Sequence, residues 1–130
     1  MNMVYEREAQ GDVVTVGKRL EEAVKARKFG VLVVLDLQAK MREKGIEFAN
    51  ACRIYEVCNP HKAKQVLERD MRISTALPCR ISVYEEAGKV RIATLLPTET
   101  VRLFGVAELA SVAQDVETDI KAMIDAAAHS

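Results

Sequence analysis

Arg53-Ile54-Tyr55-Glu56-Val57-Cys58-Asn59-Pro60 takes the chain from one kind of secondary structure directly into another. Its apolar-rich run reads as a β-strand over 51–58 that stops on a thiol. Asn59 is a favoured helix N-cap, because its side-chain oxygen accepts a free backbone N–H of the first turn. Pro60 suits the first helical position, where its fixed φ fits and its missing N–H has no partner to lose. A helix over 60–69 follows, with Ala63, Val66 and Leu67 inward and Lys62, Lys64 and Glu68 outward. Cys58 therefore stands just before the positive end of a helix, where a thiolate is favoured over a thiol.

Working towards the N-terminus, Ile46–Asn50 is a connection, and Gln38 to Lys44 reads as a short basic helical turn ended by Gly45. Before it, Val31-Leu32-Val33-Val34-Leu35 is continuous and apolar rather than alternating, as a strand buried on both faces would be. Val13, Val16, Leu20, Ala23 and Val24 recur at helical spacing, which predicts a helix over 12–28 with Asp12 as N-cap and Gly30 as stop. Residues 3–8 alternate and read as a first strand.

Towards the C-terminus, Thr75-Ala76-Leu77-Pro78-Cys79 opens another strand on a second cysteine. Residues 79–86 and 89–95 form a hairpin about Ala87-Gly88. Pro97-Thr98-Glu99 begins a helical turn interrupted by Gly105. A final helix over 106–127 carries Leu109, Ala113, Val116, Ile120, Met123 and Ala127 on one stripe, a core face.

The order β-α-β-β-α-β-β-α implies an α+β protein of one domain over 1–130. Its first six elements match the ferredoxin-like arrangement, a two-layer sandwich of helices packed on one face of a mainly antiparallel sheet. Strands 51–58 and 79–86 are expected to run parallel across the intervening helix. The other sheet face then needs a cover, either the last helix or a second copy. The unalternating run 31–35 favours a homodimer.

The 130 residues hold 19 Lys and Arg against 19 Asp and Glu. That balance argues against a nucleic-acid partner, since such affinity is largely phosphate neutralisation. With no Trp, three Tyr and three Phe, an aromatic stacking platform is not expected either. No signal peptide or membrane-length apolar run is read, so no membrane partner is expected and the cytoplasm is the expected location. Three cysteines without tight spacing suit reduced thiols there.

Cys58-Asn59-Pro60-His61 has the Cys-x-x-His spacing of a metal site, which Cys52 or Cys79 would have to complete. In a parallel crossover Cys58 ends one strand and Cys79 begins the other, so they fall at opposite sheet edges. No metal, cofactor or disulfide between them is expected on that topology. His61 alone reads as a solvated residue, and Cys79 as structural beside Ile81 and Val83. Cys52 shares a strand face with Cys58 but lies about 20 Å from it at ~3.3 Å per residue. Asp115, Glu117 and Asp119 read as a solvated helix face, and Glu85-Glu86 as an exposed hairpin end. There is no glycine-rich phosphate loop, Gly-x-Ser-x-Gly elbow or His-Glu-x-x-His. Cys58, Asn59, Cys79 and His61 remain as thiol or binding candidates.

Phe29-Gly30-Val31-Leu32, Val57-Cys58-Asn59-Pro60, Leu77-Pro78-Cys79 and Val83-Tyr84-Glu85-Glu86 together resemble the family called domain of unknown function 302. The resemblance runs from about residue 3 to the last helix. It implies a small dimeric α/β protein, TBP-like in fold, with no established activity. Only Cys58 and Cys79 carry over as motif positions; Cys52 and His61 fall outside the pattern. The leading reading is a non-enzymatic binding or accessory module with an unidentified small ligand. Two alternatives are sulfur-species or soft-metal handling at Cys58, and a structural protein that binds a partner through its sheet face.

Overall fold

The computed structural model describes residues 2–129. In chain order these form β1 (Val4–Ala9), α1 (Val13–Ala26), β2 (Gly30–Asp36), α2 (Leu37–Glu43), β3 (Cys52–Cys58) and α3 (Pro60–Arg69). A 3-10 helix (Met71–Ala76) leads to β4 (Cys79–Glu86), β5 (Lys89–Leu95) and α4 (Pro97–Arg102). A short 3-10 turn (Ala107–Leu109) then opens α5 (Ala110–Ala128). No helix among the described residues is long and apolar enough to cross a membrane.

The five strands make one sheet in the order β1-β5-β4-β3-β2, antiparallel at every join. This is the expected α+β architecture of helices on an antiparallel sheet. Alternation along each strand separates a buried face from an open one. Val16, Leu20 and Val24 of α1 and Ile120, Met123 and Ile124 of α5 pack on Tyr55, Val57, Ile81, Val83 and Ile92 of the sheet. All eleven are at most 1% exposed, and each large aliphatic among them contributes about 1.5–3 kcal/mol by leaving water. Val66, Ile73 and Leu109 form a smaller cluster under α3.

Helix α1 comes close to the sheet at Gly17. A Cβ built there would stand 1.9 Å from the Tyr55 hydroxyl oxygen, and Tyr55 is 1% exposed. Asp12 starts α1 as expected, accepting from the Thr15 backbone N–H at 2.7 Å. The stop differs: Gly30 already belongs to β2, and Lys28 takes the left-handed turn with φ 63°. The hairpin is as expected, with Ala87 and Gly88 both at positive φ (53° and 77°), the two-residue turn whose twist suits a β-ribbon.

Three expectations need correction. First, β3 and β4 are antiparallel neighbours, not parallel strands across a crossover. Helix α3 and the 3-10 helix carry the chain out from the end of β3 and back to the same edge. Second, β2 is an edge strand with a bulge at Leu32, and Leu32, Val33 and Val34 are 58%, 48% and 43% exposed within one chain. Third, Glu117 is buried rather than solvated. Its carboxylate accepts from the Thr98 backbone N–H at 3.1 Å and the Thr98 hydroxyl at 2.7 Å. It thereby caps α4, whose own N-cap residue Leu96 has no side-chain acceptor.

Candidate functional site

The corrected strand pairing brings the backbones of the two motif cysteines close, at the same end of the sheet. Val57 of β3 faces Cys79 of β4 in register, and Cys58 is the next residue along. On its other side Cys58 pairs with Gly30 of β2. Cys58 and Cys79 line one cleft of about 40 Å³ under the start of α3, with Phe29, Val57, Ala63, Val66, Leu77 and Val116 as apolar wall. Asn59 and Lys62 complete the lining. The Leu77–Pro78 peptide that delivers Cys79 to this wall is cis.

Helix α3 is built from its cap upward, as the sequence predicts. The Asn59 side-chain oxygen accepts from the backbone N–H groups of His61 at 3.1 Å and Lys62 at 3.2 Å, and Pro60 takes the first helical position. Asn59→Ala removes both bonds and is expected to cost about 1 kcal/mol of stability, the usual loss for such a cap. A melting curve recorded beside the native chain checks it. The side chain of His61 is exposed, away from the wall. Lys62, an outward residue by helical spacing, lines the cleft and reaches Asp115 of α5 at 3.4 Å.

Burial works against the charged form of both thiols. Burial raises the pKa of Cys58. Burial, and secondarily the neighbouring Cys58, pushes Cys79 up to about 11. The thiolate expected at a helix start is disfavoured here, because burial outweighs the helix end. What remains around the sulfur is apolar wall, and desolvation disfavours the charge.

A parallel crossover would set the two cysteines at opposite sheet edges; the antiparallel β3–β4 pairing sets them at the same end and removes that premise against a disulfide. All three cysteines are free thiols. Cys52 is apart from the pair, its sulfur 3.8 Å from the Ser82 hydroxyl near the far end of β3. Among the described residues no three His, Cys, Asp or Glu are grouped to hold a metal ion. Behind Leu77 and Cys79 lies a larger pocket of about 270 Å³, which shares those two residues with the cleft. Arg80, Thr75 and Thr100 give it polar groups.

Residues 5–127 match the family described as Domain of unknown function DUF302. No curated protein matches the chain. Among solved structures the chain is similar to the crystal structure of an uncharacterized conserved protein DUF302 from Bacillus stearothermophilus. The two are 32% identical, with 98% of this chain and 99% of that one covered and a TM-score of 0.93.

Proposed function

Because this chain belongs to the DUF302 family, whose name assigns no activity, we propose that it is a non-enzymatic binding module working as a homodimer through the open face of its sheet. The carrying observation is the run Leu32, Val33 and Val34, apolar and exposed along the β2 edge. Val4 and Leu95 extend the exposed apolar surface at the opposite edge, at 39% and 60%. A second copy of the chain is the occupant that answers the unalternating composition of β2.

Size and charge both suit that occupant. Five strands about 4.8 Å apart and seven residues long at ~3.3 Å per residue make a face of roughly 550 Å² in projection. With the β2 edge added, this approaches the ~800 Å² per partner of an ordinary stable interface. The face's ions are paired within the chain: Arg80 with Glu56 at 3.1 Å and Arg91 with Glu6 at 3.4 Å. Covering them leaves no charge without a partner. The upward pKa shifts of Cys58 and Cys79 favour a binding role over thiol catalysis, since the thiolate is the nucleophile. The free cysteines fit a reducing compartment such as the cytoplasm.

Sedimentation of the native chain at micromolar concentration is expected to give a dimer. Val33→Lys removes no buried contact within one chain, since Val33 is 48% exposed there. It is expected to leave the melting curve of the monomer intact and to raise the dimer dissociation constant by about a hundredfold or more, through the cost of burying unpaired charge. A native chain that sediments as a monomer overturns the proposal.

A further inference from the structure

We propose that the pocket of about 270 Å³ between the 3-10 helix and α4 binds a small, neutral, mainly apolar molecule that brings its own hydroxyl donor, of the phenol class. It lies on the helix side of the sheet, so the reading does not depend on a dimer formed through the open face. The pocket's floor is the start of β4 and the end of β5, at Cys79 and Thr94. Thr94 pairs with Ile81, which is 0% exposed in the core under the helices, and Cys79 shares that face by alternation. Ile73, Leu77, Pro78, Pro97 and Val101 supply the apolar walls.

Charge selects a neutral ligand. Among the described residues that line the pocket, Arg80 alone is charged, and Glu56 already holds its guanidinium at 3.1 Å. Those two are register partners, and alternation sends both side chains to the open face of the sheet. Burial pushes the Cys79 thiol up to about 11, so it adds no charge at neutral pH. An ion would enter without a counter-charge, which is costly.

Hydrogen bonding selects a donor. Three threonines line the pocket, and each hydroxyl already donates to a backbone carbonyl: Thr75 to Arg72 at 2.8 Å, Thr94 to Arg80 at 2.7 Å and Thr100 to Leu96 at 3.2 Å. A hydroxyl whose hydrogen is committed offers lone pairs only. Pro78 and Pro97 have no N–H to give either. A molecule that meets these groups meets acceptors and must carry the proton itself. Size narrows the class further. An apolar cavity of ~150 Å³ is enough to hold benzene. The pocket exceeds that but falls short of the ~300–1,000 Å³ of drug-sized and cofactor sites, so one substituted ring suits it.

The test is a titration of the isotope-labelled whole chain with phenol at neutral pH, followed by its amide NMR shifts. Saturable binding is expected with a Kd on the order of 1 mM, ordinary for so small a ligand. The largest shifts are expected at Ala76, Leu77, Cys79, Thr94, Thr100 and Val101. Benzene, which lacks the donor, is expected to bind about fivefold more weakly. Benzoate, which brings a charge, is expected to bind at least about a hundredfold more weakly. Ala76 is half-buried in the lining, so Ala76→Phe fills the pocket and is expected to abolish binding. Circular dichroism checks that this variant folds; if it does not, the shifts of the native chain decide alone. A native chain without saturable shifts overturns the proposal, as does a folded Ala76→Phe that binds phenol as tightly as native. Benzene or benzoate binding as tightly as phenol overturns it too. So do shifts centred on Ala110 and Gln114, which place the molecule in the separate cleft between α4 and α5. Sedimentation of the same samples reports the dimer separately, so failure of one reading is not failure of the other.

Discussion

Gly17→Ala is expected to destabilise the chain by about 3 kcal/mol, at the upper end of what overpacking usually costs. In an exposed helix interior the same change helps, because alanine is the better helix former by about 1 kcal/mol. Here the sign reverses. The new methyl would stand 1.9 Å from the Tyr55 oxygen and 2.9 Å from the ring carbon that bears it. Tyr55 is 1% exposed and enclosed by α1 and the sheet, so it has nowhere to move. Either α1 lifts from the sheet or the ring leaves its rotamer. Tyr55→Phe removes the nearest atom and is expected to recover part of the loss in the double variant, a coupling that a double-mutant cycle reads directly. Additive losses would mean that α1 and the sheet do not meet at this point.

Glu117→Ala is expected to cost about 3 kcal/mol, the scale of buried hydrogen bonds to a charged acceptor. The loss should lower the melting temperature by about 10 °C for a chain of this size. The effect is pH-dependent in a defined direction. Burial raises the Glu117 pKa, but hydrogen bonds from Thr98 and the nearby Lys121 ammonium outweigh it, leaving the folded-state value below the ordinary one. Stability from this group is therefore complete above the unfolded carboxyl pKa of about 4.3 and fades as pH falls through the folded value. The gap in stability between the native chain and Glu117→Gln should be widest near neutrality and narrow on acidification. A gap that stays constant with pH would place the contribution in packing rather than in the charge.

These two residues also mark where sequence reasoning ends. Local signals read the element boundaries well: Asn59-Pro60 starts α3, Ala87-Gly88 turns the hairpin, and the stripe from Leu109 to Ala127 faces the core. Each is settled by residues within a turn or two of one another. Glu117 resisted because its partner Thr98 lies on another element, and spacing within α5 carries no trace of it. The β3–β4 pairing resisted for a similar reason. Met71–Ala76 shows no clear period, yet Asp70 caps it by accepting from the Arg72 N–H and Ile73 anchors it at 0% exposure. That short piece returns the chain to the edge it left. Without it, a strand–helix–strand unit defaults to a parallel crossover, and Cys58 and Cys79 fall apart. Motif spacing found both thiols, but only topology makes them neighbours.

The position of β1 sets an order of events during synthesis. The first strand of the chain occupies one edge of the sheet, paired only with the last strand, Val4 opposite Leu95. Its far end is tied by the Gln10 N–H to the carbonyl of Ala128, at the end of the final helix. As the chain leaves the ribosome, β2 to β5 can zip as a meander, each strand meeting a neighbour already made. β1 cannot. It must wait, unpaired, until nearly all the rest has emerged, and closing so long a loop is the slow part of such a topology. An alternating, charge-rich strand, Val-Tyr-Glu-Arg-Glu-Ala, waits with less risk of sticking to other nascent chains than an apolar one would.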